Sequence, residues 1–324
     1  MSERIDAMNE TTRMGEFEII ERLRPKFGSN KFIVIPSGDD AAVVDTPDGD
    51  VVISTDMAVE GVHFRTDWST SIQIGQRITA QNFADIAAMG AVPVAVTVAV
   101  AVPVTTHITW LEGLMLGIEA ECQPLDVAVV GGDMSRSDAI VIAITVIGHR
   151  RGLPAVTRAE AQAGDIVAIA GRVGYSAAGL ACLLRGHRSP REAVDAYLTP
   201  KPPYAAGPIA AKAGATAMID VSDGLIADVG HIASASAVHI DLNPKAVEPD
   251  AFLISLARNM AEDPRLWALS GGEDHALVAV FPPTTKLPQP FRPVGKVLAN
   301  DVAGGRVTVG GEAPVSSAGH DHFA

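Results

Sequence analysis

Acidic residues recur along this chain in five short clusters, most of which follow an apolar, β-branched run and contain Gly or Ser. The clusters are Gly38-Asp39-Asp40, Ser54-Thr55-Asp56, Asn82-Phe83-Ala84-Asp85, Gly131-Gly132-Asp133 and Asp220-Val221-Ser222-Asp223-Gly224. An aspartate that ends a strand projects into the loop rim where ligands of α/β sheets bind. Carboxylates that converge there repel each other unless a hard cation such as Mg²⁺ is bound by their oxygens. The pattern therefore predicts a magnesium site that accepts a phosphate-bearing substrate.

Each cluster also has a purely structural interpretation. An Asp beside Gly or Ser commonly caps a helix or begins a turn. A single cluster does not distinguish the two interpretations, whereas five clusters of one form favour metal binding.

Composition limits the kinds of partner. The chain has 324 residues, enough for two domains of ordinary size. Hydrophobic residues make up 48% of it, which is sufficient for well-packed cores. The formal net charge of −13 argues against nucleic acid, because a phosphate backbone requires a basic surface. An anionic small molecule is compatible with this charge, since bound cations invert the local field.

The cysteines and the apolar runs indicate the compartment. Cys122 and Cys182 fall in apolar helical stretches, so both are predicted to be buried thiols in a reducing environment. The N-terminal segment lacks a hydrophobic signal core. The most apolar run, Ala91 to Val104, is too short to span a bilayer and is interrupted by Pro93 and Pro103. We expect a cytoplasmic protein with no membrane partner.

Helix and strand patterns alternate in the first half of the chain. Ser71 to Met89 is predicted to be a helix that ends at Gly90 in a left-handed conformation. Thr109-Trp110-Leu111-Glu112 matches a capping box, which predicts that the next helix begins there. Gly131-Gly132-Asp133 is predicted to be a turn between two strands. These elements complete an α/β unit near His149.

A polar connector, Arg150 to Gly164, is the predicted domain boundary, which gives domains over 1–149 and 150–324. In the second half, Ala217 to Val221 is predicted to be a strand. Ser222-Asp223-Gly224 follows it as a turn into a helix.

The absence of several motifs from the sequence narrows the chemistry. The chain contains no G-x-x-x-x-G-K-[ST], no G-x-G-x-x-G after a strand, no kinase H-R-D and D-F-G set, no G-x-S-x-G and no H-E-x-x-H. Phosphoryl transfer fits what is left, because its transition state needs charge neutralisation and alignment more than a covalent catalyst.

Motifs that carry a family resemblance run nearly from one end of the chain to the other. They are Gly15-Glu16-Phe17, Gly38-Asp39-Asp40, Ser54-Thr55-Asp56, Glu60-Gly61-Val62-His63-Phe64, Asn82 to Gly90, Gly131-Gly132-Asp133, Ser176-Ala177-Ala178-Gly179-Leu180, Asp220 to Gly224, Ser270-Gly271-Gly272-Glu273-Asp274 and His322-Phe323. By these motifs the chain resembles the thiamine-monophosphate kinase family, whose superfamily also holds aminoimidazole ribonucleotide synthetase and selenophosphate synthetase. The strings around His63 and Glu273 are more particular to the thiamine kinases than the aspartate motifs are.

The resemblance implies a role for the residues at matching positions. The implied Mg²⁺ ligands are Asp39, Ser54, Thr55, Asp56, Asp85, Asp133, Asp220 and Asp223. The implied ATP contacts are Gly132, Asp133, Arg158 and Ser222. The implied contacts to thiamine monophosphate are His63, Glu273 and, in the tail, His320.

The resemblance also implies the reaction and the architecture. It implies an ATP- and Mg²⁺-dependent in-line phosphoryl transfer to thiamine monophosphate, a phosphotransferase reaction with a phosphate group as acceptor. No covalent or general-base residue is expected, because the acceptor phosphate is already mostly ionised at neutral pH. The implied fold has two domains, an N-terminal α/β domain that pairs across a homodimer and a C-terminal α+β domain.

The tail departs from the family pattern at one position. The family's tail carries Gly, an aromatic residue, any residue and then His-Phe, whereas here the aromatic position is His320 in Gly319-His320-Asp321-His322-Phe323. If that aromatic stacks on thiamine, histidine offers a smaller and titratable face, so the acceptor pocket is looser or a different acceptor is preferred. The alternative is that imidazole stacks well enough.

Two other functions are alternatives to this reaction. Another superfamily member would activate a carbonyl or selenide, and a glycine-rich N-terminal arm with a reactive Cys or Lys would favour it. Residues 1–17 contain neither Cys nor Lys. A non-catalytic regulator that binds metal and nucleotide would have a broken ligand set, yet every aspartate of the pattern is present.

Overall fold

The computed structural model describes residues 22–26, 30–35, 43–45, 49–299 and 304–314. The chain divides into two compact units, one of Met1–Asn82 with Pro93–His149 and one of Phe83–Val92 with Arg150–Ala324. The division into an N-terminal α/β domain over 1–149 and a C-terminal α+β domain over 150–324 stays a prediction.

The first unit contains strands, helices and short 3-10 turns. Its described elements are 3-10 turns at Arg24–Lys26 and Gln123–Leu125, strands β1 (Ile33–Ile35), β2 (Val43–Val44), β3 (Val52–Val59), β4 (Val92–Val102), β5 (Ala128–Arg136) and β6 (Val141–His149), and helices α1 (Ser71–Ala88) and α2 (Ile108–Cys122). Helix α1 begins in this unit and ends in the second.

A sheet with the strand order β3–β6–β4–β5 forms the frame of the first unit within the described residues. Strands β3 and β6 are antiparallel, and β4 and β5 are parallel. Ile74 and Ile78 of α1 and Leu114 and Ile118 of α2 are almost fully buried, so these helices contribute one apolar face each to the core. In the strand order given above, β3 and β5 are the two edges of this sheet among the described strands.

The second unit has a larger sheet. Its elements are strands β7 (Ile166–Ala170), β8 (Ala217–Asp220), β9 (His239–Leu242), β10 (Leu277–Phe281), β11 (Arg292–Leu298) and β12 (Arg306–Val309), and helices α3 (Tyr175–Leu184), α4 (Arg191–Leu198), α5 (Ala206–Lys212), α6 (Leu225–Ala235), α7 (Ala251–Met260) and α8 (Pro264–Ser270). The described strands have the order β12–β9–β11–β7–β10–β8 and are antiparallel except for the β12–β9 pair.

Apolar clusters cover both faces of this second sheet. One face buries Leu225, Val229 and Ile232 of α6. The other face buries Ala206 and Ala210 of α5. The mixed α and β architecture of both units agrees with the predicted fold class.

Several sequence-based predictions agree with these elements and one helix start differs. Helix α1 ends at Ala88, and Gly90 has a φ of 73° as predicted. Helix α2 begins one residue before Thr109, because the Nδ1 atom of His107 accepts the Thr109 N–H at 3.3 Å and caps the helix. The predicted capping box at Thr109 was therefore wrong.

Both cysteines are buried, as predicted. Within the described ranges, no helix is long and apolar enough to cross a membrane.

Candidate functional site

The predicted ligands Ser54 and Asp56 lie inside strand β3 and not at its end, so the predicted strand-end placement was wrong for this cluster. Neighbouring α1 holds Asp56 in place. The Asp56 N–H donates to Asn82 Oδ1 at 3.2 Å, and Gln81 Nε2 donates to Asp56 Oδ2 at 3.2 Å. Because side chains alternate along a strand, Ser54 and Asp56 share the face that α1 covers.

Thr55 lies on the opposite face of β3. Its hydroxyl donates to the Ile144 carbonyl at 3.2 Å and accepts from Thr145 Oγ1 at 3.0 Å. The exposed Ile53 and Met57 lie on this same face. The three predicted ligands of this cluster therefore do not all project to one point.

His63 belongs to the turn that follows β3. Its Nδ1 accepts the Val59 N–H at 3.1 Å, and its own N–H donates to the Val59 carbonyl at 2.9 Å. In this arrangement Nε2 carries the ring proton. The half-buried ring is thus fixed by the turn, and its predicted contact with the acceptor stays a prediction.

Gly132 and Asp133 lie in the exposed second half of β5, which continues to Arg136 instead of turning. The predicted turn at this cluster was wrong. The register shifts so that Val96 pairs with Val129 and Thr97 with Gly131, which leaves one extra residue in β5 as a bulge. A Cβ on Gly132 would lie 1.9 Å from the Val98 carbonyl oxygen, so only glycine fits there.

Within one chain, Asp133 is far from the β3 cluster. Strands β3 and β5 are separated by β6 and β4. Three strand spacings amount to about 14 Å, too far for one cation to contact both Asp56 and Asp133.

The other predicted site residues outside the turn after β8 include Asp85, Asp39 and His320. Asp85 is half-buried on α1, in the part of the helix assigned to the second unit. Asp39 and His320 lie outside the described residues.

In the second unit, the structure brings two of the predicted motifs together. Asp220 ends strand β8, and the turn that follows leads into α6, as predicted. The Glu273 N–H donates to the Ser222 carbonyl at 2.8 Å, and the His275 N–H donates to the Val221 carbonyl at 2.8 Å. The predicted nucleotide contact Ser222 and the predicted acceptor contact Glu273 are therefore on adjacent, hydrogen-bonded segments.

His275, which the sequence did not single out, lies between two of these carboxylates. Its Nδ1 is 3.0 Å from Asp220 Oδ2, and its Nε2 is 3.7 Å from Glu273 Oε2. Burial lowers the pKa of His275, but its contacts with Asp220 and Glu273 raise the pKa more, to about 10. The two carboxylates therefore favour the protonated form of the ring, whereas burial favours the neutral form.

Asp228 is a second residue that sequence reasoning missed. It is 2% exposed in the first turn of α6, and its Oδ2 accepts the N–H groups of Asp223 and Gly224 at 3.0 Å each. Burial, aided by the nearby Asp220 charge, raises the pKa of Asp228 to about 7. Its position four residues after Gly224, in the first turn of a predicted helix, was the available signal.

Asp274 fixes the start of helix α3. Its carboxylate accepts the Gly174 N–H at 2.5 Å and the Ser176 N–H at 2.8 Å. The residue as a whole is half-buried, but these contacts enclose the carboxylate. Desolvation raises the pKa of Asp274 to about 7 even though both N–H groups favour the charged form.

This raised pKa predicts a pH-dependent stability. Because the folded pKa of Asp274 is about 7 and its ordinary value is 3.8, its contribution is complete below pH of about 4 and is lost as pH rises through about 7. Asp274→Asn cannot ionise and should flatten that fall in the free energy of unfolding. Urea titrations at several pH values measure it.

Asp263→Asn is the matched control, since Asp263 is an exposed cap that accepts the Arg265 N–H at 2.9 Å. If the free energy of unfolding of Asp274→Asn falls with rising pH as steeply as that of the Asp263→Asn control, the fall does not come from ionisation of Asp274.

Arg158 lies away from the turn that contains Ser222. Its carbonyl accepts from Ser236 Oγ at 2.8 Å, at the C-terminal end of α6. The turn lies at the N-terminal end, so the length of the helix, about 16 Å, separates the Arg158 backbone from Ser222. The backbones of these two predicted ATP contacts are therefore not adjacent, and the contact of Arg158 with ATP stays a prediction.

Among the described residues, the predicted metal ligands fit a hard cation in their chemistry but are not gathered around one point. All of them offer carboxylate or hydroxyl oxygens, the donors that Mg²⁺ prefers. In the described part of the chain, no group of three or more His, Cys, Asp or Glu side chains could hold a metal ion.

Comparisons with known proteins agree with the sequence motifs. A family model described as AIR synthase related protein, N-terminal domain, matches residues 38–149. The thiamine-monophosphate kinase of Mycobacterium tuberculosis is 42% identical over 312 residues, which cover 96% of this chain and 92% of that protein.

Solved structures give the same result. The crystal structure of thiamine-monophosphate kinase from Stenotrophomonas maltophilia K279a matches with a TM-score of 0.80 and 30% identity, covering 93% of this chain and 98% of that one. A structure described as AaThiL complexed with AMPPCP and TMP matches with a TM-score of 0.78 and 28% identity, covering 95% and 97%. This chain belongs to the thiamine-monophosphate kinase family.

Proposed function

We propose that this chain transfers the γ-phosphoryl group of ATP to thiamine monophosphate, giving thiamine diphosphate and ADP. The observation that carries this proposal is the hydrogen bond from the Glu273 N–H to the Ser222 carbonyl, 2.8 Å long. It joins the segment expected to contact ATP to the segment expected to contact the acceptor. Direct transfer needs this proximity, because both reactants must be held in line.

The residues of this chain act by positioning and not by covalent catalysis. An oxygen of the acceptor phosphate forms the new bond to the γ-phosphorus as the bond to the β-phosphate bridging oxygen breaks. The acceptor oxygen is already ionised, so no residue has to remove a proton from it. Ser222 and Glu273 then need only orient the two substrates.

Magnesium is the expected cofactor of this reaction. Its ligands would be Ser54, Thr55, Asp56 and Asp133 in the first unit, Asp85, Asp220 and Asp223 in the second, and Asp39. When bound, Mg²⁺ would neutralise the phosphate charges. The acidic side chains, without a cation, would repel ATP.

ATP binding should therefore depend steeply on a divalent cation. The chain has a net charge of −13 and no P-loop lysine to hold the β- and γ-phosphates. Calorimetric titration of ATP with Mg²⁺ should give clear binding, and the same titration with a chelator should give little. Equal affinity in the two titrations would show that basic side chains hold the phosphates.

A homodimer explains how Asp56 and Asp133 act on one substrate. Among the described strands they lie on opposite edges of the same sheet, about 14 Å apart. Two copies that align their sheets edge to edge would place β3 of one chain beside β5 of the other. Ile53 and Met57, 62% and 57% exposed on one face of edge strand β3, form an apolar strip that would be covered if the paired sheets also closed around that face. Light scattering that gives only the 33.7 kDa chain mass would contradict the dimer.

The direct test is an assay of ADP and thiamine diphosphate formed from ATP and thiamine monophosphate. Other phosphorylated vitamins and nucleotides serve as competing acceptors, which also tests whether His320 has altered the preference. Equal amounts of both products are expected. Turnover of another acceptor only, or ATP binding without turnover, would contradict the proposal and favour the two alternative functions. A cytoplasmic location stays a prediction that cell fractionation can test.

A further inference from the structure

His275 occupies a conformation that the surrounding backbone imposes. Both Glu273 and His275 have a left-handed φ, 68° and 51° respectively. Such values are uncommon for residues other than glycine and are retained where the surrounding structure fixes them, often at functional sites. Hydrogen bonds from the Glu273 N–H to Ser222 and from the His275 N–H to Val221, both 2.8 Å, hold the segment in this shape. The backbone thus places the imidazole between the two carboxylates.

The two nitrogens of the His275 ring have different environments. Nδ1 is 3.0 Å from Asp220 Oδ2, a hydrogen bond between residues that are each 4% exposed. Within the part of the chain that the structure describes, the buried Nε2 has no hydrogen-bond partner, although Glu273 Oε2 lies 3.7 Å from it. The Glu273 carboxylate therefore lies just beyond hydrogen-bond distance of Nε2, and a small movement of its side chain would bring the two atoms within reach.

We propose that His275 is a positioning residue that holds Asp220 through Nδ1 and directs Glu273 through Nε2. The Asp220 carboxylate can only accept, so Nδ1 donates this hydrogen bond, and Nε2 is the ring nitrogen that lies toward Glu273. The ring would thereby set the carboxylate expected to bind metal and the carboxylate expected to bind thiamine monophosphate relative to each other. This inference rests on the proposed function, which gives Asp220 and Glu273 those roles.

Two substitutions separate the two contacts. The side-chain amide of His275→Asn reaches the position of Nδ1, and that of His275→Gln reaches the position of Nε2. His275→Asn should keep the bond to Asp220 and raise KM for thiamine monophosphate about tenfold, with the Mg²⁺ dependence unchanged. His275→Gln should raise the Mg²⁺ concentration needed for half-maximal rate by a similar factor, with a smaller change in KM.

The matched control is His239, a second buried histidine of the same unit. It is 7% exposed and its Nε2 is 2.8 Å from Thr308 Oγ1, between strands β9 and β12. His239→Asn should lower the Tm without changing KM or the Mg²⁺ dependence. Measuring Tm for every variant separates loss of folded protein from loss of positioning.

A coupling measurement completes the test. In a double-mutant cycle, adding Glu273→Gln to His275→Asn should raise KM by less than the product of the single effects, since the two residues share one contact. Multiplicative effects, or single variants that change only Tm and the active fraction, would overturn the inference. If the wild-type protein makes no thiamine diphosphate at all, the proposed function fails. If it does and the variants behave like His239→Asn, only the role of His275 fails.

Discussion

A mixed dimer of Asp56→Asn and Asp133→Asn chains is expected to regain activity that neither variant has alone. Each substitution removes one ligand charge from every site of its own homodimer, which should reduce the rate by about a hundredfold to a thousandfold. If each site combines Asp56 of one chain with Asp133 of the other, the mixed dimer has one doubly substituted site and one intact site. About half of the wild-type activity per dimer should return.

The design requires two differently tagged chains that are co-expressed and purified through both tags in turn. Thiamine diphosphate formation is then compared with that of each parent homodimer. The matched control pairs Ser54→Ala with Asp56→Asn, since both residues lie on β3. Every site of that mixed dimer carries one of the two substitutions, so no site is intact. Its activity should stay near that of the parents.

A mixed dimer of Asp56→Asn and Asp133→Asn that is no more active than its parents would contradict the shared site. In that case Asp56 and Asp133 would have to serve different substrates or different cations within one chain. Their separation across β6 and β4 would then be a property of two sites and not of one divided site.

Sequence patterns located the second-unit turn correctly because its signals are local. From Ala217 to Val221, every residue except Asp220 is apolar. Gly224 adopts a φ of 117°, a value that strongly favours glycine. The end of such a strand can be predicted without knowing which strands pair with it. The same holds for Gly90, which ends α1 in a left-handed conformation.

The clusters Ser54-Thr55-Asp56 and Gly131-Gly132-Asp133 were placed wrongly because strand length depends on partners distant in sequence. Strand β3 extends through Asp56 because it pairs with β6, from Val52 opposite Gly148 to Val59 opposite Val141. Strand β5 continues past Gly132 because the missing side chain lets it approach Val98. The polar and glycine residues that predicted a turn here form the exposed half of strand β5. Pairing of this kind is not encoded in a local pattern.

The residues that sequence analysis did not identify lie outside the predicted motifs and support the site through contacts in the folded chain. His275 directly follows a motif in which the acidic residues, and not the histidine, gave the sequence-based prediction. Asp228 sits four residues into a helix, where an aspartate usually has only a modest electrostatic role. Their importance comes from burial beside Asp220 and Asp223, which only the folded chain shows.

Gly272→Ala is expected to reduce the rate about a hundredfold while leaving most of the protein folded. A Cβ on Gly272 would lie 2.2 Å from the Ser222 carbonyl oxygen, the atom that accepts the Glu273 N–H. The methyl group must push the two segments apart. Misplacement by about 1 Å costs about a hundredfold in rate when two substrates must be aligned. Overpacking of this kind costs about 1–3 kcal/mol in the free energy of unfolding.

Gly230→Ala is the matched control in the same unit. Gly230 lies inside α6, and its added Cβ would have only Val307 Cγ2 within reach, at 4.0 Å. Removing a glycine from a helix interior should raise the free energy of unfolding by about 0.5–1 kcal/mol and leave turnover unchanged. Thermal melting and initial rates of thiamine diphosphate formation compare the two variants. If Gly272→Ala lowers the Tm but retains the wild-type rate, the prediction is wrong. The contact between Ser222 and Glu273 would then stabilise the fold without being needed to align ATP with the acceptor.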